Sequence, residues 1–182
     1  MISVIIATLG EKDISGLILS LKKQLNTIDE IIVEIDLENN VSRVRNKGWK
    51  RAKGKIIVFL DDDVIISDNF IKQGLKDFVN YDFGQSKVIG GIVNAKDKFT
   101  GTVMWFKRTV LKRVGGFNEQ FSFYNEDIDI YLRCIKMGFR YGYLESPVWH
   151  PKSGGFEKLI KGNELLKQEH PKFYPKLIKE IR

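Results

Sequence analysis

A single cysteine, Cys134, excludes an internal disulfide and any zinc site built on several thiolates, so a reducing compartment is the plain expectation. Hydrophobic runs are short. No stretch reaches the roughly 18–20 apolar residues that a bilayer-crossing helix needs. The opening Met1–Gly10 has neither a basic leader nor a small-residue cleavage site, so no signal peptide is expected and the chain reads as cytoplasmic. Asn40-Val41-Ser42 fits a glycosylation acceptor, but without export it is a chance match. Arginine-rich runs and RNA-binding signatures are also missing. Nucleic acid is therefore not expected as a partner, although Lys+Arg number 30 against 23 Asp+Glu, leaving a net charge of +7. That excess fits a phosphorylated substrate, an anionic membrane surface or simply a lysine-rich exterior. There is no internal repeat, no low-complexity segment and no linker, and 182 residues suit one domain with one continuous core.

What is there is an alternation of short apolar runs and amphipathic stretches. Ser3–Ala7 is a β-branched run ending at Thr8-Leu9-Gly10. Ile14, Leu17, Ile18, Leu21 and Leu25 follow at helical spacing. Ile31–Ile35 reads as a second strand ending at Asp36, and Val41–Ala52 as a helix closed by Gly54. Ile56–Leu60 is the most apolar strand and runs straight into Asp61-Asp62-Asp63. Further on, Phe70–Val79 and Glu126–Met137 read as helices; Val88–Val93, Val103–Phe106 and Phe139–Leu144 read as strands. Strands that are apolar throughout are buried on both faces, which predicts an α/β fold with a mostly parallel sheet flanked by helices. In such sheets ligands sit beyond the carboxyl ends of the strands, where Thr8, Asp36 and Asp61–Asp63 all fall.

Three consecutive carboxylates after a buried strand repel one another. A hard divalent cation, Mg²⁺ or Mn²⁺, relieves that repulsion and bridges to the oxygens of a diphosphate. The competing reading is a solvated acidic turn before a helix cap at Ser67 or Asp68.

At this point a resemblance to a family emerges. Arg45-Asn46-Lys47-Gly48, Ala52-Lys53-Gly54, the apolar strand and Asp61-Asp62-Asp63 resemble the central block of family 2 glycosyltransferases. These enzymes have the single-domain, Rossmann-like GT-A fold. The opening SVIIATLG is similar to the family's first strand, with Ala7 where proline is common. Val114-Gly115-Gly116-Phe117-Asn118-Glu119, then Glu126-Asp127-Ile128-Asp129, Arg133, Gly138 and His150, match its later region in order. The resemblance covers residues 1–151; residues 152–182 remain as a basic helical tail.

The resemblance implies a metal-dependent, inverting transfer of a sugar from a nucleotide-diphosphate donor. It implies Mn²⁺ or Mg²⁺ held by Asp63, Asp61 and His150; His150 also reads as a loop histidine fixed between Pro147 and Pro151. It implies Asp127 as catalytic base, with Glu126 orienting the acceptor, although both residues also suit simple capping of a helix N-terminus. Thr8, Asp36, Arg45, Asp61 and Asp62 would contact the nucleotide, Arg45 through uracil or phosphate oxygens. The chain departs from the family at Ile35-Asp36-Leu37-Glu38, where Asp-Asp-Gly-Ser is usual; UDP is favoured over GDP. Asp129 and His170 receive no role. Gly91 and Gly101 make room near the sugar or mark bulges; Trp105 is a stacking platform or core. The acceptor would be a glycan, lipid-linked or protein hydroxyl. The tail, with eight Lys/Arg and four Glu, either packs its apolar side on the domain or lies on an anionic membrane. Rival readings are a sugar nucleotidyltransferase, for which Ala7–Lys12 is poor in glycine, and a non-catalytic nucleotide- or partner-binding module.

Overall fold

In the computed structural model the described residues are 1–90, 99–151 and 156–175. The elements run β1 (Ile2–Thr8), α1 (Ser15–Lys22), β2 (Glu30–Ile35), α2 (Val41–Arg51), β3 (Ile56–Asp61), β4 (Ile65–Ile66), α3 (Phe70–Phe78) and β5 (Phe83–Ile89). They continue with β6 (Val103–Lys107), α4 (Arg108–Val114), α5 (Glu126–Lys136), β7 (Tyr141–Trp149) and α6 (Phe156–Glu169). All seven strands join one sheet in the order β2-β1-β3-β6-β5-β7-β4. β1, β2, β3, β5 and β7 point the same way, with β6 reversed between β3 and β5, and β4 reversed on the edge beside β7.

Alternate residues of each central strand feed opposite cores. Val4, Ile6, Val58, Leu60, Val103 and Trp105 face α1 and α3, where Leu17, Leu21, Phe70, Ile71 and Phe78 close over them. Ile5, Ile57, Phe59, Met104 and Phe106 face the other way, against Trp49 of α2, Val110 and Leu111 of α4 and Ile130 and Cys134 of α5. This period-2 division is why the strands read as continuous apolar runs. Trp105 belongs to the core: it is fully buried between Phe70 and Phe78, and its indole N–H donates to Ser86 Oγ at 2.9 Å.

Two elements have no counterpart in the sequence reading. β4 is two residues long, and α4 follows β6 with no intervening turn. The expected strand at Val88–Val93 begins instead at Phe83 and ends at Ile89; 91–93, with Gly91, lie outside the described residues. The expected strand Phe139–Leu144 starts at Tyr141 and continues to Trp149 through Pro147. The register against β5 shifts between Ser86 and Val88, so proline's missing N–H falls at an irregularity where it costs no ladder bond.

The sheet register positions the site. Thr8 pairs with Ile35 and Ala7 with Asp61, so β1, β2 and β3 end at one level and release Thr8, Asp36 and Asp61–Asp63 together. On the far side α6 packs on α5 through Phe121, Leu132 and Leu166. Among the described residues no helix is long and apolar enough to cross a membrane.

Candidate active site

The strand ends open into a cleft of about 480 Å³, lined by Thr8, Asp36, Arg45, Asp61, Asp62, Asp63, Glu126, Asp127 and His150, among others, together with residues 99–102 and 123–125. All nine residues to which the resemblance assigns catalytic, metal or nucleotide contacts border this one space; Trp105 lies in the core.

Its first part is the aspartate turn. One oxygen of Asp61, one of Asp63 and a ring nitrogen of His150 lie within 4.8 Å of one another. His150 Nε2 sits 3.0 Å from Asp63 Oδ1. That hydrogen bond, reinforced by Lys12, holds the Asp63 carboxyl down at about 2 despite partial burial, and Asp63 in turn holds His150 above the usual imidazole range. Asp61 behaves oppositely: burial raises its pKa, and the Arg45 charge only partly offsets this. Asp62 also borders the cleft, accepting from Thr8 Oγ1 at 2.6 Å and from Lys12 Nζ at 3.0 Å. Lys12 Nζ lies 2.7 Å from Asp63 Oδ2 as well. Lys12 was not anticipated, because nothing in Glu11-Lys12-Asp13 marks that lysine apart from a surface one.

The second part is the start of α5. Asp127 Oδ2 accepts the Gly101 N–H at 2.7 Å and Oδ1 accepts the Ile128 N–H at 2.8 Å. Two bonds to backbone from different elements hold this carboxyl in one orientation. Burial pushes its pKa up to about 7, with the neighbouring Glu126 charge adding to the rise. Glu126 Oε1 accepts from Arg45 Nη1 at 2.7 Å, while its Oε2 is buried with no partner among the described residues.

Between the two parts stands Arg45, which is 3% exposed. The expectation that it reaches uracil or phosphate meets a different geometry, because its guanidinium is committed to protein acceptors. Nη2 donates to Asp61 Oδ1 at 3.0 Å and to the Gly101 carbonyl at 3.3 Å. Burial works against its charge, but Glu126 and Asp61 outweigh that and raise its pKa. Arg45 therefore ties the turn after β3 to the start of α5, each charge compensating the others' desolvation. Gly101 contributes its backbone N–H and carbonyl, and a Cβ there would stand 3.2 Å from Arg45 Nη2 and 3.3 Å from Glu126 Oε1, so the glycine also leaves room for that ion pair.

Asp36, 7% exposed, uses Oδ1 to accept the Glu38 N–H at 3.1 Å. Its Oδ2 is buried without a partner among the described residues, in a residue that lines the cleft. Beneath the site, Asn46 locks α2 to the Gly115-Gly116-Phe117 turn: its Nδ2 donates to the Phe117 carbonyl and its Oδ1 accepts the Phe117 N–H, both at 2.9 Å. Gly116 has φ +77, and a Cβ there would stand 2.5 Å from Asn46 Oδ1. Glycine is required on both counts.

Asp129 and His170, given no role by the sequence, form a buried pair. His170 Nε2 lies 2.8 Å from Asp129 Oδ1, and Arg133 holds Asp129 Oδ2 at 2.7 Å. His170 sits in the tail and Asp129 on α5, and a single sequence carries no local signal for a contact 41 residues apart.

Comparison with known proteins places this arrangement. Residues 34–144 match the profile of glycosyl transferase family 2. Among solved structures, S. aureus TarS superposes with a TM-score of 0.69 at 17% identity, covering 92% of this chain and 39% of that one. A 1–349 form of TarS in complex with UDP-GlcNAc gives 0.67 at 17% identity, covering 92% and 66%. The catalytic domain of Drosophila β1,4-galactosyltransferase 7, in complex with xylobiose, gives 0.63 at 16% identity, covering 79% and 64%. The chain thus spans between 39% and 66% of the length of these structures. No curated protein matches it. With more than half its length inside the family profile and its fold shared with these enzymes, the chain belongs to glycosyl transferase family 2 and has the GT-A fold.

Proposed function

We propose that the chain transfers a glycosyl unit from a nucleoside-diphosphate sugar, UDP-linked, to an acceptor hydroxyl with inversion at the anomeric carbon. The observation that carries this reading is the shared cleft. Asp127, with a pKa near 7, faces the same space as the Asp61–Asp63–His150 cluster. The structures of similar fold bind UDP-GlcNAc in one case and manganese with UDP-Gal and xylobiose in another.

The donor set of the cluster fits a divalent ion. Two carboxylates and one imidazole within 4.8 Å suit Mn²⁺ or Mg²⁺, and the low pKa of Asp63 keeps that ligand anionic at any working pH. Such an ion, when bound, would neutralise charge building on the departing diphosphate. The chain's own groups supply the rest. Asp36 Oδ2 would accept a hydroxyl or imino hydrogen of the nucleoside, satisfying an otherwise orphaned buried oxygen. Asp127 takes the proton of the acceptor hydroxyl as that oxygen bonds to the anomeric carbon and the bond to the diphosphate breaks. Glu126 Oε2 is free to orient the acceptor, and Arg45 keeps Glu126 and Asp61 in mutual register. Cytoplasmic placement belongs to the same proposal.

The test is a thermal-shift series with UDP, GDP and UDP-sugars, with and without Mn²⁺, followed by product analysis. UDP with Mn²⁺ should raise the melting temperature beyond either alone. Release of UDP from a UDP-sugar supports a transferase. Release of pyrophosphate from UTP and a sugar phosphate would instead indicate a nucleotidyltransferase, and nucleotide binding without turnover a silent module.

A further inference from the structure

A second cavity, about 570 Å³, meets the cleft at Phe123, which lines both. Its walls include Asn39, Gln120, Ser122, Phe123, Glu164 and Gln168. Gln120, Gln168, Ser122 and Glu164 stand among apolar Phe121, Phe123 and Leu165, a mix that suits sugar rings, which offer hydroxyls at their edges and C–H faces to aromatic side chains. No lysine or arginine lines it among the described residues, although the chain carries a net charge of +7. A groove for a phosphorylated or sulfated ligand would draw on that excess, as charge complementarity requires.

The groove is also firmly built. The non-glycine residues with positive φ among those described are Asn39, Tyr124 and Asn125, at 57°, 63° and 66°. Asn39 lines the groove, while Tyr124 and Asn125 directly follow its Phe123 and line the adjoining cleft. Such backbone is retained where surroundings over-determine it, commonly at ligand sites. The outer wall is α6. Asn125 Nδ2 donates to Asn163 Oδ1 at 2.9 Å, and a Cβ on Gly162 would meet the Tyr124 carbonyl oxygen at 2.8 Å. Glycine lets the tail helix close against the loop that leads into Asp127.

We infer that this groove is the acceptor subsite and that it takes an uncharged, hydroxyl-rich oligosaccharide, with α6 as one wall. This rests on the transferase reading above, and the experiment separates the two. Saturation-transfer NMR would be recorded with xylobiose, chitobiose and a sulfated disaccharide, each in the presence of UDP, and UDP affinity measured on the same samples. Ser122 and Gln168 are exposed, so Ser122→Trp and Gln168→Trp would fill the groove without burying a clash. At least one neutral disaccharide should be saturated by the native chain. Each tryptophan variant should weaken that signal at least about tenfold, the effect of losing ~1.4 kcal/mol, with UDP affinity unchanged. Equal signals in native chain and both variants would overturn the assignment. So would saturation of the sulfated sugar alone, or of no neutral sugar. Neutral sugars bound in the groove by a chain that ignores UDP would sink the transferase reading and leave the groove standing.

Discussion

On the side of the cleft proposed to take the donor, Thr8, Asp36 and Asp61–Asp63 occupy the ends of three neighbouring parallel strands, and sheet register brings them together. On the other side, the residue before α5 and the first turn of α5 are held by contacts reaching 38 and 41 residues along the chain, Asn125 to Asn163 and Asp129 to His170. One half of the site follows from local pattern and topology; the other depends on where a C-terminal helix docks. Substitutions on the two sides should therefore fail in different ways.

The largest effect should come from Asp127→Asn. Removing a general base typically costs about 10²–10⁴-fold in rate, while the amide oxygen can still accept from Gly101 or Ile128 and preserve the local fold. Turnover should fall by that amount with UDP affinity within about twofold of native, since the change lies outside the donor contacts. Unchanged turnover would remove Asp127 from the mechanism.

Asp63→Ala should fail on the opposite side. Loss of a partner that merely supports a metal ligand costs roughly 10–100-fold in affinity, and loss of a ligand should reach at least that for Mn²⁺-dependent UDP binding. Calorimetric titration of UDP with and without Mn²⁺ would reveal it. A variant that keeps its manganese dependence would place the ion elsewhere.

The contrast also explains what could be read in advance. The β-α-β-α-β opening, the aspartate turn and the Glu126-Asp127 helix start are local patterns, and the sheet assembles them as expected. Arg45 was legible as a site residue but not as a buried one. Its ion pairs with Glu126 and Asp61 join elements whose contact no spacing reveals. His170 looked like any histidine before a proline, and Lys12 like any surface lysine. Both acquire meaning only from residues far along the chain. The short β4 and α4 escaped for a different reason: two or three apolar residues are too few to establish a period.

His170→Ala probes the long-range side directly. Asp129 keeps Arg133, but it loses a buried hydrogen bond and Lys136 loses its contact at 2.7 Å from the ring. Leaving buried polar atoms unpaired costs about 1–3 kcal/mol, measurable by urea unfolding. Because the pair fixes α5 two residues beyond Asp127, turnover should fall while UDP affinity holds. A loss of UDP affinity instead would mean that the two sides are not independent.

The pH profile sharpens the same division. A carboxyl whose pKa is raised to about 7 must lose its proton before it can act as base, so turnover should climb with pH through that value and level off above it. One pH unit below, roughly a tenth of the sites are ionised, predicting about a tenfold rise between pH 6 and pH 8. Turnover read at saturating UDP-sugar and Mn²⁺ isolates this curve, because Mn²⁺-dependent UDP binding should have its own rise with pH: His150, held above the usual imidazole range by Asp63, must shed its proton to hold the ion. A flat rate profile across this range would mean that Asp127 is ionised throughout or is not the base.

The smallest effect concerns Lys12, and its sign is the informative part. Its ammonium lies 2.7 Å from Asp63 and 3.0 Å from Asp62, among the oxygens that a divalent ion would claim. The lysine side chain is 53% exposed, so its pairing is screened and worth only about 0.2–1 kcal/mol. An incoming cation must displace it or share Asp63 with it. Lys12→Met should therefore tighten Mn²⁺ binding, by about 1.4- to 5-fold on that energy scale, read from the free-manganese EPR signal without nucleotide. A lysine that only helped to order the turn would give the reverse, since its removal would loosen Asp63 and weaken the ion. Weaker binding in Lys12→Met would thus show that the donor side, too, depends on contacts beyond the strand ends.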